Sequence, residues 1–366
     1  MTQGKTNKAD RLFLTLAFII VIFGLIMLAS ASAPIGYTKF GDTYFFIKKQ
    51  ILFGLIPGTI LFCIFGNLNY QFWKKFSWII YFASIAALVL VWVPGIGAVI
   101  NGSRSWIYIA GLSFQPSEFA KLAVVVILAM LLSESKNLED WKTGLLPVLA
   151  ILSPVVLLIA AQDAGTLSIL IMTIFAMLYL AGIRKSYLLI LGMAGAVAFA
   201  ALLLIAPYRV SRLTTFLHPE LDPKGVGYQI NQAFLAIGSG GFWGLGLGHS
   251  RQKFQYLPEV QSDSVFAIIS EEMGFLISAG MIFLITFLGL RGLKIAKGAP
   301  DGFGRLLASG IMIWFLCQSF LNISAIIGLL PLTGVPLPFV SQGGSALLIG
   351  LLSFGIVANI SKESKI

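Results

Sequence analysis

The stretch Tyr256-Leu257-Pro258-Glu259-Val260-Gln261-Ser262-Asp263 delivers a carboxylate to the junction where a long, glycine-rich polar segment enters an apolar run beginning at Ser264. Two more acids, Glu271 and Glu272, follow inside that run. An acid carried to membrane depth is costly and marks a functional position by default. Two readings of Asp263 fit its residue type. Asp is a favoured helix N-cap, and a helix is expected to start here. Asp263 is also a candidate general base, because desolvation at an apolar boundary raises a carboxyl pKa toward a useful value. Both readings hold together if Ser262 or Ser264 supplies the cap. Neighbouring helix positions point about 100° apart. One of Glu271 and Glu272 is therefore expected to line a cavity and the other to meet an adjacent helix, each paired with a cation or a hydroxyl.

Other polar residues interrupt apolar sequence elsewhere. Gln115-Pro116-Ser117-Glu118-Phe119-Ala120-Lys121 opens with helix-start chemistry, a proline and an acid in the first turn. Glu118 and Lys121, three apart, share a helix face and are placed for an ion pair, whether structural or directed at a substrate. Asp163 falls in a short turn, Gln162-Asp163-Ala164-Gly165-Thr166, where Asp is ordinary. Arg104 in Asn101-Gly102-Ser103-Arg104-Ser105-Trp106 is placed to hold an anionic headgroup or to stand as a plain surface arginine, with Trp106 at the membrane interface. Arg209, Arg212, Lys224, Arg251 and Lys253 give the large polar segment a basic character suited to a diphosphate. The dense glycines of Gly238 to Gly248 lack the flanking strand, helix and spacing of a phosphate loop, and read instead as tight turns of re-entrant backbone. His218 and His249 lack ligand-like spacing. Cys63 and Cys317 sit far apart in apolar runs and suggest neither a disulfide nor a thiolate metal site.

The elements that must position these residues are membrane helices. The chain has 366 residues, 58% apolar and 11% charged, which excludes an ordinary soluble domain. The net charge of +10 resides in short clusters between apolar runs, the pattern of cytoplasmic loops and not of nucleic-acid binding. About ten stretches are long enough to cross ~30 Å of hydrocarbon: 12–32, 47–66, 77–97, 116–134, 144–161, 165–182, 187–206, 264–290, 304–327 and 344–361. The first is read as a retained helix, because its apolar core exceeds the ~7–15 residues of a signal peptide. Short basic loops and tails place both termini in the cytoplasm, and the longer connections 33–46, 98–115, 207–263 and 328–343 outside. The expectation is an all-α integral membrane protein, one polytopic domain over 1–366, with a large extracytoplasmic loop 207–263 between helices 7 and 8.

Taken in order, Asn101-Gly102-Ser103-Arg104-Ser105-Trp106, Gln115 to Lys121, Gly227-Tyr228-Gln229, Gly246-Leu247-Gly248, Gln252-Lys253, Tyr256-Leu257-Pro258-Glu259 and Leu337-Pro338-Phe339-Val340-Ser341-Gln342-Gly343-Gly344-Ser345 resemble the SEDS family (shape, elongation, division and sporulation proteins) across nearly the whole chain. Ser30-Ala31-Ser32 also looks like the family's first helix, and the motifs look more like its division branch than its elongation branch. The resemblance implies a peptidoglycan glycosyltransferase that polymerises lipid II on the outer face of a bacterial cytoplasmic membrane, at the division septum. It implies undecaprenyl-linked glycan as the growing chain, a class B penicillin-binding protein as crosslinking partner, and other divisome membrane proteins nearby. Asp263 matches the family's essential acid. Glu118, Lys121 and Asp163 match other polar positions of its cavity, and Arg104, Lys253, Glu259, Ser341, Gly343 and Gly344 fall in motifs expected to line it. Ser262, Ser264, Gln261, Gln162 and Gln342 depart from the family pattern but leave the acids in place. Compensation for the leaving diphosphate falls to Arg104, to loop arginines or to a divalent cation, Mg or Mn, and the sequence does not choose. A lipid II flippase and a non-catalytic division scaffold are the alternatives from other classes, and an elongation polymerase is the alternative within the family.

Overall fold

The computed structural model describes residues 8–100, 103–109, 112–135, 140–205, 214–218, 222 and 225–365. Seven helices among the described residues are long and apolar enough to cross a membrane: α1 (Arg11–Phe40), α2 (Phe45–Asn67), α5 (Pro116–Glu134), α6 (Trp141–Gln162), α10 (Val265–Lys297), α11 (Gly302–Ile326) and α12 (Gly344–Glu363). Between them lie α3 (Gln71–Lys75), the shorter apolar helices α4 (Ser77–Leu90) and α7 (Ala164–Leu180), and α8 (Lys185–Ile205). A helix therefore underlies each apolar span, although the first runs on to Phe40 and the third stops at Leu90.

Two features depart from an all-helical bundle with an irregular outer loop. After α4 the chain forms an antiparallel sheet in the order β1-β2-β3, from Gly97–Ile100, Ser103–Ile109 and Leu112–Phe114. Ser103-Arg104-Ser105-Trp106-Ile107 alternates small polar with larger residues, a strand period within a segment too short to hold a helix and its turns. The connection 207–263 is also not simply a loop, because it contains α9 (Val226–Gly240). This helix buries Ile230, Ala233 and Ala236, at helical spacing, and packs on α10. Ile230, Ala233 and Ile237 carry the period of a surface helix, although glycines crowd the chain on both sides.

α10 is two helices joined at Gly274, which adopts φ 75° and ψ −177°, a conformation open in practice only to glycine. A break inside a membrane helix orphans backbone groups that lipid cannot satisfy. The chain after α9 supplies the partners. Leu245 and Gly246 donate their N–H groups to the carbonyls of Glu271 and Glu272, both at 2.9 Å. Phe275 and Leu276 donate to the carbonyls of Gly241 and Phe242, at 2.9 and 3.3 Å. The glycine-dense stretch is thus a re-entrant turn laid against a broken helix, and a side chain at Gly244 would collide with the carbonyl of Glu272.

α5, α11 and α12 form the centre, with α5 buried along almost its whole length. At the end of the bundle away from the sheet, the two termini meet: Asp10 caps α1 by accepting from Phe13 N, its own N–H donates to Ser361 Oγ at 2.9 Å, and its carboxylate pairs with Arg291. Burial works to raise the Asp10 pKa, but hydrogen bonds from Arg291 and Phe13 outweigh it and hold the carboxyl below its ordinary value.

Candidate functional site

Asp263 is 8% exposed and stands two residues before α10. The N-cap is Ser264, whose side chain makes no capping bond, so Asp263 is not spent as a cap. Its position is fixed through the main chain instead. Asn322 on α11 donates its Nδ2 to the Asp263 carbonyl at 2.9 Å and to the Val335 carbonyl at 2.8 Å. From α9, Gln229 Nε2 donates to Ser264 Oγ at 3.0 Å and reaches Asp263 Oδ1 at 3.5 Å. Two separate elements, α9 and α11, therefore converge on this one acid.

The approach to Asp263 is a series of turns with buried anchors at Leu257 and Val260. Glu259 sits at φ 51° with its side chain exposed, and its carbonyl accepts from Ser262 N at 2.9 Å and Ser264 N at 3.3 Å. The Gln261 carbonyl then accepts from Gln342 N at 2.8 Å, joining this segment to the one after α11. That second segment is not a plain outer loop. It dips inward so that Phe339, at φ 64°, packs between Phe315 and Phe354. Ser341 is buried, and its Oγ accepts from Leu337 N at 2.9 Å. Gln50 of α2 clamps the end of the dip, donating to the Ser341 carbonyl at 3.2 Å and accepting from Gly343 N at 2.9 Å. Gln50 stands at the start of a π-turn, Ile51–Leu55, a distortion common at functional positions. Gly344 then opens α12 against the backbone of Phe53.

One helical turn deeper lies a second polar cluster. Glu118 and Lys121, both buried, form an ion pair at 2.8 Å. Lys121 Nζ also donates to Gln318 Oε1 at 2.7 Å and lies 4.9 Å from the ring centroid of Trp314, which donates its Nε1–H to the same oxygen at 2.9 Å. Gln318 and Asn322 are four apart on α11, so the two clusters are separated by ~6 Å along that helix. A cavity of about 30 Å³, enough for a water, opens beside Glu118, Gln318, Phe339 and Ser353. A buried ion pair survives only with its remaining hydrogen-bonding capacity satisfied, and Gln318 supplies that here.

The other expected residues separate. Asp163 caps α7, accepting from Gly165 N at 2.9 Å and Thr166 N at 3.3 Å. Arg104 lies exposed on β2. Lys253 is not a free loop cation: it is 4% exposed and pairs with Glu272 at 2.7 Å. Arg251 is exposed, while Arg209, Arg212, Lys224, Asn101 and Gly102 lie outside the described residues. Among the described residues no three His, Cys, Asp or Glu side chains converge on a point that would hold a metal. No ligand set for Mg or Mn is assigned on these side chains. Gln50, Gln318 and Asn322 were not singled out in the sequence, and Gln229 entered only as part of the Gly227-Tyr228-Gln229 motif. Their signal was present, since a carboxamide inside an apolar helix needs a partner, and Gln318 and Asn322 share a face.

Helices, a re-entrant turn against a broken helix and a buried carboxylate held by amides at one end define a polytopic membrane protein with its candidate chemistry at a membrane face. Residues 10–366 match the FtsW/RodA/SpoVE family, described as cell cycle proteins, and the chain belongs to that family. It is 43% identical to stage V sporulation protein E of Bacillus subtilis over the full length of both chains. It is 38% identical to the probable peptidoglycan glycosyltransferase FtsW of a Geobacter species, over 97% of each. Among solved structures, a chain from a peptidoglycan synthase complex, described for its coordination of polymerisation and crosslinking, superposes with a TM-score of 0.79 at 27% identity, covering 96% of this chain and 97% of that one. The rod shape determining protein RodA of Thermus thermophilus gives 0.71 at 26% identity, over 97% of each.

Proposed function

We propose that this protein is a peptidoglycan glycosyltransferase that polymerises lipid II, with Asp263 as general base. The observation that carries the reading is the placement of Asp263: a buried acid, not used as a cap, held through its carbonyl by Asn322 where two re-entrant segments meet. The helices, including α4, α7 and α8, cross the membrane ten times. The termini face the cytoplasm, and the sheet, α9 and Asp263 lie on the outer face, as the basic loops require.

The acceptor lipid II presents its GlcNAc 4-hydroxyl to Asp263. The carboxylate takes that proton as the oxygen attacks the anomeric carbon of the growing chain's terminal sugar. The bond to undecaprenyl diphosphate breaks with inversion, and a β-linkage forms. Arg104 and the arginines of the 207–263 segment offset the charge of the departing diphosphate. Glu118 lines the cavity below, held by its ion pair with Lys121, and a class B penicillin-binding protein crosslinks the strand in complex with this chain. Purified protein with that partner and lipid II in detergent is expected to yield glycan polymer on a gel. A flippase or a scaffold yields none, because nothing needs to be flipped in detergent.

The process served is septal wall synthesis in division. A sporulation-stage polymerase is the second reading, favoured by the full-length likeness to the Bacillus subtilis protein. Localisation of a tagged chain through vegetative division and spore formation separates the two: loss from the vegetative septum refutes the division reading.

A further inference from the structure

Four polar groups have no part in that mechanism: half-buried Ser30 on α1, and the buried Lys253 in the re-entrant segment and Glu271 and Glu272 on α10. Each carboxylate is costly where it stands. Both are spent on the chain leading to Asp263. Glu271 accepts from Arg251 N at 2.9 Å, Gln252 N at 3.3 Å and the hydroxyl of Ser250. Glu272 accepts from Lys253 Nζ at 2.7 Å and from Ser30 Oγ at 2.8 and 2.9 Å, and Lys253 Nζ donates to Ser30 Oγ at 3.2 Å.

Beyond Lys253 the chain runs in turns back to Asp263, with Leu257 N bonded to the Gln252 carbonyl at 3.0 Å. The two glutamates lie eight and nine residues past Asp263, ~12–14 Å along the helix if it were straight. The segment 250–263 is thus pinned to α10 near its start and continuous with α10 at its end, while the Ser30 contact ties it to α1. A buried ion pair stabilises no better than apolar residues of similar volume, but it imposes a defined geometry.

We propose that Lys253, Glu272 and Ser30 are positioning residues for polymerisation: the triad sets where the Asp263 carboxylate stands relative to the acceptor hydroxyl, acting through residues 254–263. The inference rests on Asp263 being the base, and it gives the Ser30-Ala31-Ser32 motif of α1 a role. The test compares Lys253→Met, the double variant Lys253→Met with Glu272→Leu, Ser30→Ala and Ser30→Thr. Thermal stability is read alongside kcat and KM for lipid II, with the penicillin-binding partner present.

Lys253→Met strands a buried carboxylate and lowers Tm. The double variant removes both charges and regains Tm, yet its kcat falls about 100-fold, the scale of a misplacement of ~1 Å, with KM unchanged. Ser30→Ala lowers kcat at wild-type Tm, and Ser30→Thr keeps it. A double variant with recovered Tm and wild-type kcat overturns the proposal. If the double variant does not recover Tm, Ser30→Ala decides, and wild-type kcat there overturns it equally. Asp263→Asn, run beside them, separates the two readings. An inactive Asp263→Asn with a fully active double variant refutes positioning alone, whereas an active Asp263→Asn refutes the base.

Discussion

Replacing Gly274 by alanine should do far more damage than an alanine in a membrane helix normally does. The new Cβ would stand 2.5 Å from the Trp243 carbonyl carbon and 2.6 Å from the Phe242 oxygen, and closer still to Gly244 N. All three are backbone atoms, which cannot rotate away. Relief requires the re-entrant turn to lift off, breaking the bonds donated by Leu245, Gly246, Phe275 and Leu276. The conformation itself, φ 75° and ψ −177°, costs a non-glycine residue ~1–3 kcal/mol. Each broken backbone bond adds about 1 kcal/mol net, and more where no water replaces it. Together these exceed ~4 kcal/mol, several degrees of Tm for a chain of this size. Gly280 on the same helix is the control, because a Cβ there meets nothing within 4 Å. Thermal unfolding in detergent should show a large loss for Gly274→Ala and none for Gly280→Ala. Equal Tm values for the two variants would refute the account of the broken helix.

Asn322→Leu leaves the carbonyls of Asp263 and Val335 without their donor. It should cost ~1–3 kcal/mol per orphaned group and lower kcat by at least tenfold, both read on the purified protein, whereas a polymerisation rate equal to wild type would remove Asn322 from the site. At the opposite end, the carboxyl of Asp10 is held below 3.8 in the fold, so its charged form stabilises the native state. That contribution is present above the unfolded value and fades as pH falls through the lower folded one. The Tm advantage of wild type over Asp10→Asn should be full at pH 7 and shrink below about pH 4. An advantage that grows on acidification contradicts the ion pair with Arg291.

The positions of the apolar helices were legible because membrane length and hydrophobicity act on every residue of a span, and so was the Glu118–Lys121 pair, since spacing of three fixes a shared face. What could not be read was non-local. The partners of Asp263 and Lys121 sit 59 and 197 residues away, at Asn322 and Gln318, and nothing in local sequence names them. Lys253 read as a free basic loop residue because its partner, Glu272, is brought near only when the turn folds onto the broken helix. Asp263 read equally well as a cap, and the structure separates the readings by placing the N-cap one residue later, at Ser264, with α10 beginning at Val265. The sheet was missed because its strands are short and lie in a connection between apolar spans, where the alternation from Ser103 to Trp106 is too brief to stand out.

The most direct measurement is glycan polymerisation from lipid II by Asp263→Asn beside wild type, both purified with the penicillin-binding partner and matched for Tm. Asparagine keeps the size of the side chain and leaves the main-chain bond to Asn322 in place, but it cannot take the acceptor's proton. The account predicts polymer from wild type and none from the variant at equal stability. Polymer from Asp263→Asn at the wild-type rate contradicts it.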